Sequence, residues 1–182
     1  MDFMKLIERY YTPGTKAHHF LVHHSRLVAQ KALQVAGRIA NLKPDLQFIE
    51  EAALLHDIGI FMTAAPEIGC FGEHPYIAHG VLGRELLDRE GLPLHALVCE
   101  RHVGAGLTLS EIEENNLPLP RRDMLPLTLE EKIICFADKF YSKHEERLTR
   151  EKPVEEVRAM LARYGTGQAK RFEEWLELFK ET

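Results

Sequence analysis

The chain has no long apolar run. No stretch approaches the roughly 18 consecutive apolar residues that a membrane-spanning helix needs, so no membrane partner is expected. Cysteine is scarce: Cys70, Cys99 and Cys135 are an odd number without CxxC spacing. That argues against a disulfide framework or a zinc ribbon and predicts buried thiols. A basic excess is missing too. Lys plus Arg number 23 against 28 Asp plus Glu, a formal charge of −5, whereas binders of nucleic-acid polymers usually carry a basic surface. The opening "MDFMKLIERYY" has no signal-peptide h-region, so a cytoplasmic protein is expected. Period-2 alternation and internal repeats are absent as well.

What remains is helical patterning. With 45% apolar and 28% charged residues in 182, the composition fits one soluble domain, all-α in class. A first helix is predicted over 16–40, with Leu21, Val28, Ala32, Val35 and Ile39 on one stripe. Further helices are predicted over 46–60, 76–89 and 93–102, with "APEIGCFGEHP" as a loop over a site. "TLEE" reads as a capping box, Thr128 being the N-cap and Glu131 reaching back, and opens a helix to about Arg150. Two amphipathic helices close the chain within 152–182, one carrying Val154, Val157, Leu161 and Tyr164, the other Phe172, Trp175, Leu176 and Phe179. Their stripes suit core packing or a partner surface, which leaves room for a homodimer.

Histidine is abundant, with ten residues, and it is the commonest metal ligand. His24 lies on the buried stripe of the first helix, while His23 is rotated about 100° away. His56 shares a face with Ile49, Ala53 and Ile60, and Asp57 follows it inside "EAALLHDIGI". His79 shares a face with Leu82 and Leu86, His102 follows Val98 by one turn, and Asp138 sits within "IICFADKFY". Any one of these has a plain account as a hydrogen-bonded core histidine or an ion-paired aspartate. Six together would be costly to satisfy separately, and imidazole with carboxylate is a donor set for borderline divalent metals.

The order His24, His56–Asp57, Asp138 resembles the HD-domain metal-dependent phosphohydrolases. "HHSRLVAQKAL" is similar to their first helix, "LLHDIG" to their signature and "CFADKF" to their closing aspartate helix. "HGVLGRELL" and "CERHVGAG" resemble the extra histidine segments of binuclear members, so the match runs over about 18–145. The resemblance implies an all-helical core and hydrolysis of a phosphate ester or anhydride. One metal would be held by His24, His56, Asp57 and Asp138. Asp57 would bridge to a second, held by His79 and His102, with His56 and Asp57 as the catalytic pair. His74 is a rival to His79, which is preferred because Gly83 follows it by four. His23 and His95 are read as solvent-side. One or two divalent ions are implied, Fe or Mn ahead of Zn or Co, activating a shared hydroxide against a small phosphorylated substrate such as a nucleotide.

Two departures narrow the substrate. Ile60 stands where many relatives carry a lysine, and "VGAGLT" stands where the cyclic-dinucleotide branch has a GYP motif. Phosphate-side cations must come from elsewhere, with Arg101 and Lys139 as candidates and salt bridging as the plain alternative for each. Two other functions fit an HD fold: a di-iron oxygenase, and a catalytically idle metal-binding or ligand-binding module.

Overall fold

The structure, a computed structural model, describes residues 2–142 and 148–181. It is all-α apart from one minimal hairpin. Helices α1 (Phe3–Tyr10), α2 (Lys16–Arg38), α3 (Leu46–Leu55), α4 (His79–Arg89) and α5 (Pro93–Arg101) precede α6 (Leu109–Glu114), α7 (Leu129–Asp138), α8 (Val154–Tyr164) and α9 (Thr166–Phe179). Strands β1 (Ala64–Ala65) and β2 (Cys70–Phe71) pair antiparallel between α3 and α4.

Side-chain caps begin two of the helices that lead into the site. Thr15 accepts from the His18 N–H to start α2, and Asp45 accepts from Phe48 to start α3. The α2 stripe then buries Leu21, His24, Val28, Ala32 and Val35. Two apolar cores divide along it. Val28 onward joins α3, α7, α8 and α9 in one core. Leu21 joins α1, α4, α5 and the turn after Asp57 in the other. His24 lies between them in sequence, and His56–Asp57 likewise falls between Ala53 of the first core and Ile58 of the second. These polar residues therefore mark a seam where the chain passes from one core to the other.

Several elements differ from the sequence expectation. The second helix stops at Leu55, and a 3₁₀ turn, Ile58–Met62, follows Asp57. Close packing explains the break: a Cβ on Gly59 would collide with the backbone of His79 and Gly83, so glycine lets the turn press against α4. A 3₁₀ turn, Tyr76–Ala78, replaces the expected start of the third helix. Helix α7 ends at Asp138, not near Arg150, and residues 143–147 of that expected helix lie outside the described residues. Thr128 does cap α7, but the Glu131 carboxylate accepts from Leu127 N–H and Arg101 instead of the Thr128 N–H. A reciprocal capping box occurs at Thr108 and Glu111, where none was expected. Helices α1 and α6 and the hairpin were also unforeseen. All three cysteines are buried thiols, as expected.

Candidate metal centre

Each inward histidine arrives at the end of a local element or on a buried face, and three are aimed by the same device. The Nδ1 atoms of His56, His79 and His102 each lie 2.7 Å from the carbonyl three residues earlier, those of Ala53, Tyr76 and Cys99. A carbonyl only accepts, so each Nδ1 carries a proton and each Nε2 turns inward, offering a lone pair whenever its imidazole is neutral. His24 comes from mid-α2, and its Nε2 stands 2.9 Å from Asp138 Oδ1.

The donors form two groups that share Asp57. His24, His56, Asp57 and Asp138 each offer one atom, all within 4.8 Å of one another, and Asp57, His79 and His102 do the same. The two oxygens of Asp57 divide the labour. Oδ2 faces His24 Nε2 at 3.3 Å and His56 Nε2 at 3.2 Å. Oδ1 faces His79 Nε2 at 3.4 Å and His102 Nε2 at 3.3 Å. His79 and His102 bring their Nε2 atoms within 3.1 Å of each other.

Those residues fit a divalent cation. Two Nε2 lone pairs set toward each other repel unless a positive charge lies between them, and a proton or a metal ion can supply it. Burial pushes the His102 pKa down, only partly opposed by Asp57, so a proton is poorly held there. His56 behaves oppositely. Burial lowers its pKa, but Asp57 and Asp138 override this and push it up to about 9. All six residues are buried, and a donor set of imidazole with carboxylate suits a borderline divalent ion.

The other sequence candidates are dispersed. Lys139 is at the site: its Nζ lies 2.7 Å from Asp138 Oδ2 and donates to the His102 carbonyl at 2.9 Å. Arg101 points elsewhere, into a pair with Glu131 at 2.9 Å. His74 is exposed and joins neither donor group, leaving His79 in place. His23 is half-buried and stacks on His19. His95, expected at the solvent side, is buried between Phe3 and Phe48, because α1 covers that face.

Sequence reasoning missed the residues that hold the centre in place. The Tyr11 hydroxyl donates to the Ile58 carbonyl at 2.7 Å and accepts from Phe61 N–H at 3.1 Å, fixing the turn after Asp57. On α9, Gln168 accepts from Ala105 N–H at 2.5 Å and donates to the Gly106 carbonyl at 2.6 Å. Arg171 donates to the carbonyls of Ala105 and Gly106, both at 2.9 Å. Gln168 did leave a signal: it is a polar residue one turn before Phe172 on an apolar stripe. A cavity of about 630 Å³ opens beside His79, His102 and Asp138. Lys139 lines it, as do Lys152, Arg163 and Tyr164 from the C-terminal part.

Comparison with known proteins agrees with this geometry. A family model described as HD domain matches residues 21–142. An uncharacterized protein of Methanocaldococcus jannaschii, MJ0778, is 40% identical over 121 residues, covering 65% of this chain and 64% of that one. A tRNA (cytidine(56)-2'-O)-methyltransferase of Thermoplasma volcanium is 29% identical over 140 residues, 76% of this chain and 36% of the relative. Its namesake in Picrophilus torridus is 36% identical over 111 residues, 60% of this chain and 29% of the relative. The chain thus spans just under two thirds of the first relative and about a third of the other two. No solved structure matches. The matched segment contains all six converging residues, from His24 to Asp138, and the chain belongs to the HD domain family.

Proposed function

We propose that the protein is a metal-dependent phosphohydrolase acting on a nucleotide or other small phosphorylated metabolite. The observation that carries this reading is the division of Asp57 between two donor groups that border a cavity with a lysine at its edge. His24, His56, Asp57 and Asp138 would hold one ion, and Asp57, His79 and His102 a second. Ions held there supply positive charge for phosphoryl oxygens and acidify water near neutral pH. The chain's own residues do the rest. Three carbonyls fix the imidazoles in one tautomer, and Lys139 adds a cation where a phosphate beside Asp138 would need one. A donor set that mixes imidazole with carboxylate accommodates Fe or Mn, our first choices, with Co and Zn as alternatives. The methyltransferase name of two relatives supplies no argument for methyl transfer here, since the match covers about a third of those chains.

The test is a screen of phosphorylated metabolites on protein reconstituted with Fe, Mn, Co or Zn, read by phosphate release. Metal-dependent release that falls by several orders of magnitude in His56→Ala and Asp57→Ala is expected. No release with any metal, alongside oxygen consumption by the reduced iron form with an organic substrate, would replace this reading with an HD-fold oxygenase.

A further inference from the structure

The cavity continues past the metal-type residues, and its far wall comes from outside the segment that the family model matches. Lys152 stands where the chain approaches α8. Its Nζ donates to the carbonyls of Lys139 and Tyr141, both at 3.0 Å, which fixes it beside Lys139. Arg163 and Tyr164 follow at the C-terminal end of α8, both exposed and both lining the cavity. Among the described residues Arg163 enters no ion pair, whereas Arg158 on the same helix is held by Glu155 and Glu173.

Charge makes this wall informative. Among the described residues the lining includes three cationic side chains, Lys139, Lys152 and Arg163, against two carboxylates, Glu67 and Asp138, in a chain of net charge −5. Asp138 is already engaged with His24 and Lys139. Lys139 serves a phosphate at the cluster, which leaves Lys152 and Arg163 facing cavity that one phosphate would not fill. Tyr76 lies with its ring 4.8 Å from that of His79, and Tyr164 is 61% exposed, so aromatic surface is available on both sides. About 630 Å³ lies within the usual range for small-molecule sites, roughly 300–1,000 Å³.

We infer that Lys152 and Arg163 form a second anion-binding point, and that the substrate is a nucleotide carrying at least two phosphates in series. The inference rests on the phosphohydrolase reading for the location of the terminal phosphate. That phosphate meets the His/Asp cluster, the inner one meets Lys152 and Arg163, and the base stacks on Tyr164. Water adds to the terminal phosphorus, and its bond to the bridging oxygen breaks. Inorganic phosphate, the shortened nucleotide and one proton leave.

The wall is fixed, since α9 packs on α8 and is tied to the Ala105–Gly106 backbone through Gln168 and Arg171. Binding to the metal-loaded protein is measured by calorimetry with two probes, adenosine 5′-monophosphate and α,β-methylene adenosine diphosphate, whose P–C–P link resists cleavage. The diphosphate should bind about tenfold tighter, and Arg163→Ala should erase that gain while changing monophosphate binding less than about twofold. Lys170→Ala, an exposed cation on α9 away from the cavity lining, should change neither. An equal loss for both probes in Arg163→Ala, no loss for either, or no measurable binding of the diphosphate overturns the inference. Failure of the hydrolase reading shows separately, as absence of phosphate release from any phosphorylated metabolite of the screen with every metal.

Discussion

Asp57 is the residue through which both halves of the centre communicate. It is fully buried, and each of its oxygens faces two imidazole Nε2 atoms. Asp57→Ala should therefore empty both metal positions, while His79→Ala or His102→Ala should empty one. Elemental analysis of protein loaded under reducing conditions checks this. A wild-type content of at most one tightly bound ion would leave a mononuclear site of His24, His56, Asp57 and Asp138. At this scale the sequence was legible, because helical phase separates His24, buried on its stripe, from half-buried His23. Phase could not place His95. Its burial comes from Phe3 and Phe48, and a single helix's periodicity says nothing of a neighbour lying across it.

Elements bring those residues together, and the last one acts at a distance in sequence. Segment 102–106 leaves α5, carries two glycines of positive φ, Gly104 and Gly106, and would be loosely specified alone. Helix α9 holds it. Gln168 and Arg171 grip Ala105 and Gly106, and Arg171 also pairs with Glu111 of α6 at 2.7 Å. Gln168→Leu leaves the Ala105 N–H without its acceptor, at a cost of about 1–3 kcal/mol. For a chain of this length that lowers the melting temperature by roughly 2–4 °C per kcal/mol. Because His102 adjoins the gripped segment, the same variant should lose affinity for the second ion before the first, as metal titration would reveal. Loss of both ions together would show α9 to be a general brace. The helix itself was readable from its apolar stripe, Phe172, Trp175, Leu176 and Phe179. Its attachment to the site was not, since that depends on hydrogen bonds spanning more than 60 residues of sequence.

Across the whole molecule, two apolar cores meet at the polar seam, so whatever neutralises the seam also joins the cores. The C-terminal part is drawn in as well: buried Lys31 of α2 pairs with Glu151 and Glu181, both at 2.7 Å, beside the Phe140 ring. Among the described residues no helix is long and apolar enough to cross a membrane, in keeping with the composition. Metal bound at the seam stabilises the folded state alone, by about 2.7 kcal/mol when the free ion exceeds its dissociation constant a hundredfold. Chelation should therefore lower the melting temperature. His24→Ala should abolish most of that response, and His23→Ala should preserve it.

The response should also depend on pH. Without metal, the raised pKa of His56, about 9 against an ordinary 6.5, stabilises the fold fully below about pH 6.5. That contribution fades as pH climbs through 9. His102, whose pKa burial lowers, opposes the metal-free fold only as pH falls through its unfolded value near 6.5. Metal needs the imidazoles neutral, so the loaded protein gains as protons leave. The gap between loaded and chelated melting temperatures should then widen from pH 6.5 to 9. Melting curves at half-unit pH steps, with and without chelator, decide the matter. A gap of zero at every pH would mean that the seam is held by His–Asp pairing alone, and a non-zero gap that stays constant or narrows would mean that metal does not displace protons from these imidazoles.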